Sequence, residues 1–213
     1  MELISNKKIE SQSDFIFKEV FKNGLLNKYD VERVHINKYW EVYYGEFHSN
    51  YANELTFSLE KNDNSSALSN NLIVRDKNKI IAMFRSEEKE PKVYYMRHAV
   101  VEKNYRRQGI YEDYVDKIIK YAYELNYSKI ISCFVSANNV AYKIKINKDF
   151  YITSLEFHPE FGSVVWITHF LNEELKRAFF YRCGMIEFTR KMFDNSEGNA
   201  KKLLGLMQDI RNY

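Results

Sequence analysis

The run Tyr105-Arg106-Arg107-Gln108-Gly109-Ile110 is the part of this chain whose chemistry is most readily read. Two guanidinium groups and a glycine lie where a strand-like pattern ends and a helical one begins. At such a junction the first helical N–H groups have no acceptor of their own, and the helix dipole makes them partly positive, so a phosphate group is well received there. Gly109 allows the positive φ or close approach that such a loop needs, and Arg106 and Arg107 add charge-assisted contacts. The same composition also describes a plain solvated turn, so the loop alone names no reaction. Elsewhere the chain mainly excludes. His35, His48 and His158 show no metal-ligand spacing, and neither a nucleophile elbow nor a Ser-His-Asp order is present. Cys133 and Cys183 are too few and too far apart for a disulfide framework or a zinc module, which favours a reducing compartment and reads them as free buried thiols.

The elements that must position this loop follow from periodicity. The first 60 residues read as mainly helical: Ser13 or Asp14 caps a segment in which Phe15, Val20, Phe21, Leu25 and Leu26 recur at helical spacing. Residues 31–47 are apolar and aromatic, of ambiguous type, with Tyr39, Trp40, Tyr43 and Tyr44 read chiefly as core. Residues 62–71 read as a loop on their Asp, Asn and Ser content. Two apolar runs, 72–74 and 80–84, flank the polar turn Asp76-Lys77-Asn78-Lys79 and form a hairpin. Residues 86–92 read as a charged loop and 93–101 as a third strand of an antiparallel meander. Ile110, Tyr114, Ile118, Ala122 and Leu125 mark a helix that stops near Asn126. A buried strand over 130–135, parallel to its predecessor, completes a crossover unit, which places a ligand outside the carboxyl ends of its strands, around 99–109. A shorter helix over 138–147 follows, then a hairpin over 150–157 and 163–171, and a last helix that Asn172 caps.

The 213 residues suit one domain. We divide it into a mainly helical part over 1–71, a core over 72–171 and a C-terminal helical segment over 172–213. A formal charge of +3 from 32 basic and 29 acidic residues provides no broad field for nucleic acid. No apolar run is long enough to span a bilayer and residues 1–10 lack a signal-peptide core, so the expectation is a cytoplasmic protein with no membrane partner.

The residues Val101-Glu102-Lys103-Asn104-Tyr105-Arg106-Arg107-Gln108-Gly109-Ile110-Tyr111 closely resemble the acetyl-CoA signature of the GNAT acetyltransferases, a valine-ended strand followed by Arg/Gln-x-x-Gly-x-Gly/Ala. Asn138, Ala141 and Phe150 resemble the family's second element, and Glu124-Leu125-Asn126-Tyr127 its usual helix end. The resemblance covers roughly 72–171. It implies an α+β (α/β) fold with a mixed, mainly antiparallel central sheet flanked by helices, a helical N-terminal extension and a C-terminal helix. It also implies an N-acyltransferase that uses acetyl-CoA as donor and an amine of a small molecule or peptide as acceptor, by direct attack in a ternary complex, in a monomer or homodimer.

Carried onto this chain, the family pattern assigns backbone groups of Ala99, Val100 and Val101 to the pantetheine arm and the thioester carbonyl. Arg106, Arg107, Gln108, Gly109, Ile110 and Tyr111 take the pyrophosphate, with Asn138 and Lys145 also on the cofactor. The usual basic glutamate is missing from the strand, where Tyr95 and Arg97 stand instead. His98 is the best titrating group nearby, though strand alternation points it away from Tyr95. Glu46 or Glu54 acting through water is the other option. On the thiolate side, Lys145 replaces the family's tyrosine, and Tyr142, one helical turn earlier, is the preferred acid. Tyr111 and Asp149 stand where a small residue and glycine are usual. The rival reading is a module that kept the fold and the cofactor but lost turnover.

Overall fold

The computed structural model describes residues 2–48 and 68–185. In chain order these form α1 (Glu2–Phe21), β1 (Asp30–Arg33), α2 (Ile36–Val42), β2 (Ser69–Asp76), β3 (Lys79–Glu90), β4 (Val93–Val101), α3 (Ile110–Glu124), β5 (Lys129–Val135), α4 (Asn139–Ile146), β6 (Phe150–His158), β7 (Gly162–Phe170) and α5 (Glu173–Arg182). A π turn, Tyr43–Phe47, continues α2. The strands make one seven-stranded sheet in the order β1-β2-β3-β4-β5-β7-β6. Neighbours are antiparallel from β1 to β4 and between β6 and β7, while β4 and β5 run parallel. This is the mixed, mainly antiparallel α+β architecture expected. No helix among the described residues is long and apolar enough to cross a membrane.

Contacts divide the chain into two compact units, Met1–His169 and Phe170–Tyr213. In the first, α3 lies on one sheet face because its positions Ile110, Tyr114, Ile118, Tyr121 and Ala122 form an apolar stripe, all of them buried. Phe84 of β3 stacks on Tyr114 with ring centroids 4.1 Å apart and planes within 8°. Tyr94 of β4 receives a hydrogen bond from Asn70 Nδ2 at 2.6 Å, which satisfies a phenol that burial would otherwise strand. Truncating Phe84→Ala is expected to cost about 3–5 kcal/mol, since it removes the ring stacked on Tyr114, and urea unfolding reads the loss. On the opposite face α2 buries Ile36, Tyr39, Trp40 and Tyr43 against Ile73 and Met83.

The helical extension is tied to α3 by polar contacts. Ser13 Oγ and Tyr121 Oη are 2.7 Å apart, and Asp113 Oδ2 accepts from the backbone N–H of Leu26 at 2.8 Å. Lys117, almost fully buried, donates to the carbonyls of Val20, in the last turn of α1, and of Asn23 just beyond it. Gly24 is required at this junction: its φ is +88°, and a Cβ there would lie 2.5 Å from Asp113 Oδ1. In the second unit, Asn172 caps α5 as expected, its Oδ1 accepting from Leu175 N at 2.9 Å.

Several expectations are corrected. Ser13 and Asp14 lie inside α1, which begins at Glu2, so Ser13 turns its hydroxyl to Tyr121 instead of capping. Residues 31–47 split into a strand and a helix, and β1 was not anticipated because four residues of mixed burial carry little pattern. Ser69 to Asn71 belong to β2 and not to a loop, with residues 62–67 outside the described set. The charged segment from Ser86 continues β3 to Glu90; only Pro91 and Lys92 turn, with Lys92 at φ +67°. Charge misled there because Glu87 finds guanidinium partners within the sheet. Cys183, expected to be buried, is exposed at the end of α5.

Candidate active site

Strands β4 and β5 pair from Val93↔Lys129 to Met96↔Ser132, and the register stops there. Beyond Met96, β4 continues through Arg97 to Val101, held on its other edge by β3, with Phe84↔Ala99, Met83↔Val100 and Ala82↔Val101. The two parallel strands therefore part, and the β5-facing backbone of 97–101 is left without ladder partners from β5. An extended amide-bearing ligand fits such an opening because it can take up the unpaired groups. Ser132 closes the narrow end, its Oγ donating to the Met96 carbonyl at 3.0 Å.

Lys145 of α4 donates to Ser132 Oγ at this same point. Its side chain is 2% exposed, with the ammonium 5.5 Å from the Phe150 ring centroid and 5.8 Å from that of Phe134. Burial pushes its pKa from 10.5 down to about 7, against a smaller upward pull from Cys133. Cys133 itself is pushed up to about 11, first by burial and then by Glu156, so it stays a thiol. Tyr142 is exposed on α4 and meets the Phe134 ring edge-on at 6.4 Å. Lys145, not Tyr142, is the α4 side chain at the narrow end. Asp149 has φ +58°, which explains why glycine suits that position in the resembling family.

At the wide end lies the basic loop. Arg107 has φ +61° and Gly109 φ +83°, so the chain turns sharply before α3. Gly109 offers no side-chain cap, whereas α2, α4 and α5 are each capped by a side chain, of His35, Asn138 and Asn172. The first N–H groups of α3 therefore receive no side-chain oxygen at the Gly109 cap, as an anion cradle requires. Arg106 folds back so that Nε donates to the Val101 carbonyl at 3.0 Å, and Gln108 Nε2 donates to the Asn104 carbonyl at 2.9 Å. Tyr111 turns its ring inward towards Phe84 and Tyr114, with centroids 6.4 Å from each. Only its backbone remains for the loop, which is how a bulky residue is accommodated here. Asn138 uses Oδ1 to accept from Ala141 N at 3.1 Å.

The opposite sheet face carries Tyr95 and His98. Alternation was to point His98 away from Tyr95. The structure overturns this: Ser86 pairs with Met96 and Arg85 with His98, leaving Arg97 as an extra residue. That bulge resets the alternation, so Tyr95, opposite Glu87, and His98, opposite Arg85, share one face. His98 Nδ1 is 2.6 Å from Tyr39 Oη, and its ring packs among Tyr39, Trp40 and Tyr43. Burial, with Arg85 adding to it, lowers His98 to about 3, so it is neutral at pH 7. Burial raises Tyr95 to about 12. Neither is a strong base near neutrality. His169 is satisfied, Nδ1 donating to the Lys148 carbonyl at 2.8 Å. Glu46 is exposed, and Glu54 lies outside the described residues.

Sequence reasoning missed Glu87, which accepts from Arg85 Nη2 at 2.7 Å and from Arg97 Nη1 at 3.0 Å. The two-residue spacing of Arg85 and Glu87 on a strand was the available signal. It also missed Ser132, which nothing in its local pattern marks.

The family model of the acetyltransferase (GNAT) family matches residues 34–143, just over half of the chain and including both the opening and the loop. The chain belongs to the GNAT acetyltransferase family. Among solved structures, this GNAT chain is similar to Ard1 from Thermoplasma volcanium, with TM-score 0.55 at 11% identity, covering 67% of this chain and 97% of that one. It is similar also to the ribosomal-protein-S18-alanine N-acetyltransferase of Escherichia coli, with TM-score 0.56 at 10% identity over 68% and 94%. A third likeness is to the NatC complex bound to Gag peptide and CoA, with TM-score 0.53 at 14% identity over 67% and 98%. At these identities the likeness establishes the GNAT fold. No curated protein matches the chain.

Proposed function

We propose that this GNAT chain transfers the acetyl group of acetyl-CoA to an amine, with Lys145 as the acid that receives the leaving thiolate. The observation that carries the reading is Lys145 itself, buried beside Ser132 where β4 and β5 begin to part. The pyrophosphate would lie on Arg106, Arg107 and the uncapped start of α3, and the pantetheine arm along 99–101. Likeness to the NatC complex, which was solved bound to CoA, supports this placement of the donor.

The acceptor nitrogen attacks the thioester carbonyl carbon; the C–N bond forms and the C–S bond breaks. The thiolate takes a proton from Lys145 Nζ, and the amine's proton leaves to solvent. A lysine at about 7 protonates a thiolate of ordinary basicity, near 8.5, downhill. Ser132 Oγ and the two phenylalanine rings hold the ammonium in place. With His98 near 3 and Tyr95 near 12, the acceptor is drawn in as the neutral amine.

Acetyl-CoA at 100 times its dissociation constant is expected to stabilise the protein by about 2.7 kcal/mol, read as a rise in unfolding midpoint. Coenzyme A release over an amine panel tests turnover. The absence of any shift at millimolar acetyl-CoA would sink the proposal.

A further inference from the structure

On the α2 side of the sheet, the last paired stretch of β4 carries an aromatic platform with cations on both flanks. Tyr95 and Trp166 lie 5.7 Å apart, ring to ring, inclined by 32°. Lys89 Nζ sits 4.8 Å from the Trp166 centroid and 5.5 Å from that of Tyr95, and the Arg97 guanidinium 5.7 Å from Tyr95. Both cations are bulge residues. Glu88 pairs with Tyr94 and Glu90 with Val93, which leaves Lys89 extra on β3, just as Arg97 is extra on β4. A bulge spends ladder hydrogen bonds to re-aim a side chain, and two of them here turn cations onto one ring.

Among the described residues, Arg85, Lys89 and Arg97 on this face outnumber the acid that pairs with them. Glu87 is shared by Arg85 and Arg97. Among the described residues Lys89 forms no ion pair, and Glu156 of β6 adds a negative charge that acts on Cys133. Arg85 is buried, but the Arg97 side chain keeps 28% of its surface open. Arg97 also follows directly on Met96, the residue at which β4 leaves β5. An anion on Arg97 would thus sit beside the narrow end of the opening, across the sheet from Lys145.

We infer that the acceptor is a free amino acid or similar amino carboxylate, its carboxylate held between Arg97 and Lys89 over the Tyr95–Trp166 platform while its amine enters unprotonated. This rests on the acyl-transfer reading and narrows its acceptor. Carboxylate and amine sit on one carbon in an α-amino acid, so anchoring the first at Arg97 presents the second to the opening. A peptide N-terminus or a polyamine has no anion at that distance and meets two cations instead.

The test compares amino acids with their primary amides on the full-length chain, by coenzyme A release from acetyl-CoA and by calorimetric binding in saturating coenzyme A. The acids are expected to be preferred about 10- to 100-fold, the range of a charge-assisted contact. Arg97→Gln should bring the acid-to-amide ratio near unity by raising KM for the acid. Lys89→Gln, a change on an exposed side chain, should lower the ratio in part without disturbing the fold. Equal use and equal binding of acid and amide overturn the inference, as does a ratio that Arg97→Gln and Lys89→Gln both leave unchanged. Preferential binding of the acid without any turnover supports the inference while removing acyl transfer, so the two failures are distinct.

Discussion

Replacing Lys145 by methionine is expected to lower kcat by at least about 100-fold and, at the same time, to make the protein more stable at neutral pH. The first effect follows from removing a positioned acid, which typically contributes about 10²–10⁴-fold. The second follows from the cost of burying an ammonium group, which methionine of similar length does not incur. The pH dependence separates these consequences. A lysine lowered from 10.5 to about 7 binds fewer protons folded than unfolded between those values. Its contribution to stability is therefore complete above about 10.5 and is lost as pH falls towards 7. At about 1.4 kcal/mol per pH unit, the stability gap between variant and wild type should be a few kcal/mol at pH 7 and should close as pH approaches 10.5. Denaturant midpoints across that window measure it. For activity the sign is the reverse: the protonated lysine is the working form, so wild-type kcat should fall above about pH 7, and the variant should lack that limb. A variant as active as wild type would remove Lys145 from the chemistry.

The position of Lys145 also shows how far the sequence carries. The form of the loop over 106–110 was legible because a sharp strand-to-helix turn is recorded in local sequence: a glycine and a change from strand to helix periodicity. The sheet order around it was legible for the same reason. Lys145 was visible only as a departure from a family pattern, since its burial depends on Ser132, Phe134 and Phe150, which other elements bring in. The shared face of Tyr95 and His98 was illegible. Simple alternation has a period of two, and one extra residue, Arg97, reverses every assignment beyond it. Glu87 was hidden for a related reason: a run of charges reads as solvated until a strand partner supplies the opposite charge, as Arg97 does. The elements are local facts, while the chemistry sits where elements meet.

The double change Arg106→Ala with Arg107→Ala is expected to weaken acetyl-CoA binding by about 10²–10⁴-fold, at roughly 1.5–3 kcal/mol for each charge-assisted contact. The two residues should not contribute alike. Arg106 is tethered by its bond to the Val101 carbonyl, so its loss also frees the strand end proposed to carry the thioester arm. Arg107 is exposed at φ +61° and supplies charge alone, so its single change should be the more sensitive to salt. A short thioester lacking the pyrophosphate is the decisive control, for it should bind wild type and double variant equally. Equal loss for both thioesters would mean that the loop shapes the opening without holding phosphate. Set beside Lys145→Met, which should bind acetyl-CoA normally and fail to release coenzyme A, the pair assigns grip to one end of the β4–β5 opening and proton transfer to the other.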